Sequence, residues 1–100
     1  MVIFSNLLHL VSKPEAQILI RQCAYILAPM GKLIIYGPFL RGAEYASEND
    51  RAFDQALRNN DPEIGHKSVL DTQELMKSVG LTLLDPIEMP ANNLILAATL

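Results

Sequence analysis

Residues 81–100 read LTLLDPIEMPANNLILAATL, two apolar runs, Leu81–Glu88 and Leu94–Leu100, on either side of Pro90-Ala91-Asn92-Asn93. Proline fixes its own φ and asparagine tolerates left-handed backbone, so the four residues suit a tight turn. The two runs are therefore predicted to be neighbouring antiparallel strands. Upstream, the pattern alternates between strand and helix. Asp71 and Glu74 suit the start of a helix that ends at Gly80, and Asn59–Ser68 is a polar loop. Ser47 with Asp50 starts another helix, to about Arg58, with Phe53, Ala56 and Leu57 facing inward. Residues 40–46 form a loop. Lys32–Tyr36 is a strand stopped by Gly37-Pro38. Ser12-Lys13-Pro14-Glu15 is a capping box with proline in the first turn. The helix it opens runs to about Leu27, with Leu19, Cys23, Ile26 and Leu27 on one stripe. Residues 2–10 begin as an apolar strand covered on both faces and end in a polar loop. The fold class is α/β: three parallel strands with helices, then a final antiparallel strand.

One hundred residues make one small domain. Half are hydrophobic and 19% are charged, which suits a buried core. The net charge of −3 comes with no basic stripe, so nucleic acid is not an expected partner. A single cysteine, Cys23, leaves no intramolecular disulfide and suits a reducing, cytoplasmic location. His9, His66 and Cys23 have no metal-site spacing, and no metal is expected. No basic n-region precedes the first apolar stretch, and no apolar run approaches the ~20 residues that cross a bilayer, so no membrane is expected as a partner.

Several local motifs occur in a fixed order: Asn6-Leu7-Leu8-His9; Tyr36-Gly37-Pro38-Phe39 with Arg41-Gly42; Phe53-Asp54 and Leu57-Arg58; Asp61-Pro62-Glu63; Met89-Pro90-Ala91-Asn92-Asn93-Leu94. Together they resemble the C-terminal half of the methyltransferase-like 26 family, a domain family of unknown function in the class I S-adenosylmethionine-dependent methyltransferase superfamily. The resemblance covers essentially the whole chain. It implies a partial Rossmann-like domain over residues 1–100, with residues 2–10 matching the family's fourth strand and the N-terminal cofactor-binding half absent. The glycines at 31, 37, 42, 65 and 80 are all single, with no G-x-G between a strand and a helix. S-adenosylmethionine is implied as cofactor of the full-length domain, and this chain alone is expected not to bind it tightly. After Gly65 the family usually has an apolar residue, then Arg and Asp; here His66-Lys67-Ser68 follow, and Ile64 stands where Trp is common. Lysine does not reproduce an arginine's two-pronged contact.

In open α/β sheets a ligand sits beyond the carboxyl ends of the strands. Asn6–His9, Tyr36–Phe39 and Pro90–Asn93 would meet there as the wall for a small-molecule acceptor. His9 is the candidate catalytic base, or else it caps the strand end. Asn6 binds the acceptor or the cofactor's amino-acid moiety, or satisfies loop backbone. Tyr36 and Phe39 present rings to the ligand, or the glycine and proline between them merely turn the chain and Phe39 plugs the core. Asn92 and Asn93 bind at the rim or simply make the turn. Arg41 and Arg58 contact a carboxylate or phosphate, or are plain surface arginines; Asp54 and Asp61 are read as surface or capping carboxylates, and Cys23 as core.

Two functions follow. The first is a fragment or truncated form of a methyltransferase-like protein acting on an unidentified small molecule, inactive alone. The second is a non-catalytic α/β interaction module that dimerises, or pairs with another chain, through its exposed N-terminal strand. In either case the first strand lacks a neighbour on one side, which leaves an open edge. The isolated chain is expected to be unstable or to assemble through that edge.

Overall fold

The computed structural model describes residues 1–27, 29–41, 44–45, 47–90 and 93–100. Its elements are β1 (Val2–Ser5), a single 3-10 turn (Leu8–Leu10), α1 (Lys13–Ile26), β2 (Lys32–Gly37), α2 (Glu48–Asn60), α3 (Val69–Ser78), β3 (Thr82–Leu83), β4 (Ile87–Glu88) and β5 (Leu94–Thr99). The sheet order is β1-β2-β5-β3, with β4 also on β5. β1 and β2 are parallel, whereas β5 is antiparallel to β2 and to β3. The last strand is thus inserted between β2 and β3, and β1, β2 and β3 run the same way, as the alternating pattern predicts.

The core lies on one face of the sheet. Leu33 and Ile35 of β2 pair with Ala98 and Leu96 of β5, and all four are buried. Against them pack Ala16, Ile20 and Cys23 of α1, Met76 of α3, and Leu8, Leu27, Phe39 and Leu81. Each large aliphatic side chain removed from water there contributes about 1.5–3 kcal/mol. The opposite face, carrying Ile34, Tyr36, Ile95 and Ala97, is only half-buried. Ile3 on the same face is 58% exposed. β1 is therefore covered on one face, not on both, because α1 and α3 share a side of the sheet.

Several local expectations are corrected. On α1 the buried stripe is Ala16-Ile20-Cys23, continued by Leu27, while Leu19 is half-buried and Ile26 lies outside. The helix is rotated so that its small residues approach the sheet. On α2 the residue turned inward is Asp54; Phe53 and Ala56 are exposed and Leu57 half-buried. The α3 cap is Ser68, whose Oγ accepts from the Asp71 N–H at 2.9 Å. The capping box at Ser12 and the Ser47 cap form as expected. The predicted strand over Leu81–Glu88 is split into β3 and β4. Between them the register on β5 slips by one residue, a bulge around Pro86, which has no N–H to give the ladder.

Candidate functional site

At the carboxyl end of β1 the chain turns sharply. Asn6 has φ +53°, and its N–H donates to the Tyr36 carbonyl at 2.9 Å. This left-handed residue ends the strand and throws the next residues into the 3-10 turn that carries His9. His9 is buried (6% exposed), and the Gly65 N–H donates to its carbonyl at 3.0 Å. Its imidazole meets Phe53 edge-on (ring centroids 5.5 Å apart) and His66 at 5.7 Å with the rings perpendicular. Phe53 and Tyr45 also pack on His66, at 5.6 and 6.2 Å.

Beneath the rings lies a charged network built on Asp54, which is fully buried. Its carboxylate accepts from the Tyr45 hydroxyl, from Arg58 Nε at 3.0 Å and from the His66 N–H at 2.7 Å. Arg58 Nη2 also donates to the His66 carbonyl at 3.1 Å. Burial alone would push the Asp54 carboxyl up; the donated hydrogen bonds from Tyr45, the His66 backbone and Arg58 outweigh it and hold it below the usual range. Lys67 Nζ donates to the Val11 carbonyl at 2.6 Å and to that of Gly65 at 2.8 Å, tying the segment after His9 to the 65–67 loop. Burial, helped by the Arg58 charge, lowers its pKa to about 8.

Both imidazoles sit below their ordinary value of 6.5. For His9 the causes are burial and then the charges of His66 and Lys67, opposed by Asp54. For His66 burial leads, and Asp54 and Asp50 oppose it. Both are therefore uncharged at neutral pH, able to accept a proton. Neither ring nitrogen of His66 has a hydrogen-bond partner among the described residues, although both are buried.

The predicted residues are brought together in part. Asn6, His9 and Tyr36 gather at the carboxyl ends of β1 and β2, and Asn93 Nδ2 donates to the Tyr36 hydroxyl at 3.1 Å. Phe39 is 2% exposed and belongs to the core, as the plug reading has it. Asn92 lies outside the described residues. Arg41 pairs with Glu88 at 3.2 Å, and Asp61 is exposed and accepts from the Glu63 N–H. Tyr45, Phe53, Asp54, His66 and Lys67 were not visible as a unit in the sequence. The one available signal was the spacing of four between Asp54 and Arg58, which places an acid and a base on one helix face. Among the described residues no group of three His, Cys, Asp or Glu side chains could hold a metal ion. No helix among them is long and apolar enough to cross a membrane.

Residues 1–98 match the model of a family described as Protein of unknown function (DUF938). The fold is similar to that of an O-methyltransferase family 2 protein from Planctomyces limnophilus, solved in complex with apigenin (TM-score 0.87, 19% identity). It is similar as well to a putative O-methyltransferase from Nostoc punctiforme (0.86, 17%) and to human N-acetylserotonin methyltransferase in complex with SAM (0.84, 13%). The matches cover 98%, 99% and 97% of this chain but 30%, 31% and 28% of those chains. The chain thus spans about three tenths of their length, and at these identities the likeness establishes a methyltransferase-like fold.

Proposed function

The chain belongs to the family described as Protein of unknown function (DUF938), and on that footing we propose that it forms the acceptor side of a methyltransferase-like domain acting on a hydroxyl-bearing small molecule. The observation that carries this reading is the place of His9: an imidazole kept neutral by burial, just past the carboxyl end of β1 and beside that of β2. Ligands of open α/β sheets bind beyond such strand ends. His9 takes the proton of the acceptor hydroxyl as that oxygen becomes the nucleophile, a role worth roughly 10²–10⁴ in rate. Asn6 and the Tyr36–Asn93 pair, with Asn92 beside it in the chain, hold the acceptor's polar groups. The motif resemblance to the methyltransferase-like 26 family is the finer form of this assignment, with a cytoplasmic location.

S-adenosylmethionine would be the methyl donor of the whole domain. The described residues do not make a site for it by themselves: glycines 31, 37, 65 and 80 are single, and none joins a strand directly to a helix. On this reading the donor pocket would be supplied by polypeptide outside these residues. Calorimetry with S-adenosylmethionine tests the division. The 100-residue chain should take up none tightly, while a polypeptide that includes the preceding coding segment should bind one equivalent. In that longer form, His9→Gln should reduce turnover of labelled methyl groups without abolishing cofactor binding. Failure of the longer form to bind would sink the proposal.

A second reading, a non-catalytic module that pairs through β1, is favoured by one feature. Among the described residues the outer edge of β1 is unpaired, and it adjoins a mostly apolar depression lined by Val2, Phe4, Leu19, Gln22, Cys23, Tyr25 and Ile26. Light scattering on the eluting chain distinguishes the two: a stable dimer with no cofactor uptake by the longer form supports the module.

A further inference from the structure

The three buried side-chain polar atoms without partners among the described residues are Asp50 Oδ2 and the two ring nitrogens of His66. A buried polar atom left unpaired costs about 1–3 kcal/mol. Two such atoms on one ring, with a carboxylate oxygen in the same state on α2, call for a reason. Asp50 and His66 are neighbours electrostatically: the Asp50 carboxylate acts on the His66 ring. The same ring packs at 90° to His9, centroid to centroid 5.7 Å. Asp50 lies one turn before Asp54 on α2, and the Asp54 carboxylate fixes the His66 backbone at 2.7 Å. The His66 main chain is therefore held firmly, while its ring makes no hydrogen bond among the described residues.

We propose that Asp50, His66 and His9 form a relay in which His66 is a positioning residue: it turns one ring N–H to Asp50 Oδ2 and offers the lone pair of its other nitrogen to His9. The proposal rests on His9 being the base assigned above. When His9 accepts the acceptor's proton, the O–H bond breaks, the electron pair stays on oxygen and a new N–H bond forms on the imidazole. The opposite N–H of the resulting imidazolium then donates to His66, whose far N–H donates to the Asp50 carboxylate. No proton leaves the relay and no electron is transferred. A neutral histidine has one donor and one acceptor nitrogen, the combination this place requires. Facing the His66 ring are Asp50, Asp54 and Arg58 from α2, Tyr45, Lys67 from the adjoining loop, and His9. Asp54 and Arg58 already bond each other, which leaves Asp50 as the carboxylate with a spare oxygen.

The chain has two histidines, so long-range ¹H–¹⁵N spectra of the ¹⁵N-histidine-labelled protein resolve both rings through a pH titration. The relay predicts that the ring nitrogens of both residues shift in the first protonation step, with the second proton taken at least about one pH unit lower. His66→Phe keeps an aromatic ring against Phe53 and Tyr45 but removes the acceptor. His9 should then titrate once, at a pH below the wild-type first step by about half a unit, a roughly threefold weaker hold on the proton. Asp50→Asn should shift the first step the same way. His66→Gln, which keeps one acceptor and one donor, should restore it. Wild-type His66 signals that stay flat through the His9 step would overturn the relay, as would a His9 midpoint that is unchanged or higher in His66→Phe. Should that variant fail to fold, the wild-type titration and His66→Gln decide. No cofactor or acceptor enters the titration, so its failure is separate from failure of the proposed function.

Discussion

At the scale of single residues, the site depends on a glycine. Gly65 has φ +135°, and a Cβ there would stand 2.6 Å from Arg58 Cζ and 2.6 Å from Asp54 Oδ1. Gly65→Ala therefore combines backbone strain with a clash against the buried carboxylate, and should destabilise the fold by about 2–3 kcal/mol in urea denaturation. The histidines set the acid limit. Their folded values lie below 6.5, so as pH falls through that value the unfolded chain binds protons that the folded chain refuses. Their contribution is intact above pH 6.5 and is lost progressively below it. Asp54, held below the usual carboxylate range, adds its own loss at still lower pH. The urea midpoint should fall between pH 7 and pH 5, and His66→Phe should flatten that fall; a midpoint constant over this range would contradict the burial of both rings. That Asn6, His9, Tyr36 and Asn93 stand at strand ends or turns was legible in the sequence, because such features announce themselves locally. His66 was not, because nothing near it in sequence shows that α2 folds back over it.

At the scale of elements, α2 is the least conventional. It has a strongly polar composition, and the inward residue that secures it is Asp54, through bonds to Tyr45 and to the His66 backbone. Asp54→Ala would leave the buried His66 N–H without an acceptor, at about 1–3 kcal/mol. Amide exchange should then rise first across 48–60 while β2 and β5 stay protected, a local opening rather than global unfolding. Uniform acceleration across the sheet would show instead that α2 is integral to the core. The same helix shows what sequence does and does not carry. Ser12 and Ser47 were readable as caps because a cap is settled within four residues. The face of α2 was not, because hydrophobic periodicity points to Phe53 and the partners of Asp54 lie up to twelve residues away. The α1 stripe was misplaced for a related reason: Ala16 is small enough to approach the sheet, and periodicity favours the larger Ile26. Pro86, visible as a strand breaker, marks where the expected third strand divides.

At the scale of the whole molecule, the sheet is unevenly clothed. One face carries α1 and α3, while the other leaves Ile3 58% exposed, and at the β1 edge Tyr25 and Ile26 of α1 are 89% and 74% exposed. β1 itself carries no charged side chain, and an edge of that kind invites a neighbouring strand. In light scattering the chain should appear larger than a monomer at micromolar concentration, and Ile3→Lys should shift it toward the monomer; a wild-type monomer at all concentrations would count against the edge as a contact. The opposite border behaves differently. There the bulge between β3 and β4, with Asp85, Pro86 and Glu88 in or beside it, interrupts the ladder and repels further strands. A molecule with one receptive side and one blunted side cannot propagate: two copies meeting through their receptive sides use up the available sites. Any self-assembly should consequently stop at a closed, two-fold pair instead of growing into fibrils, and the proline kink on the far border is what sets that limit.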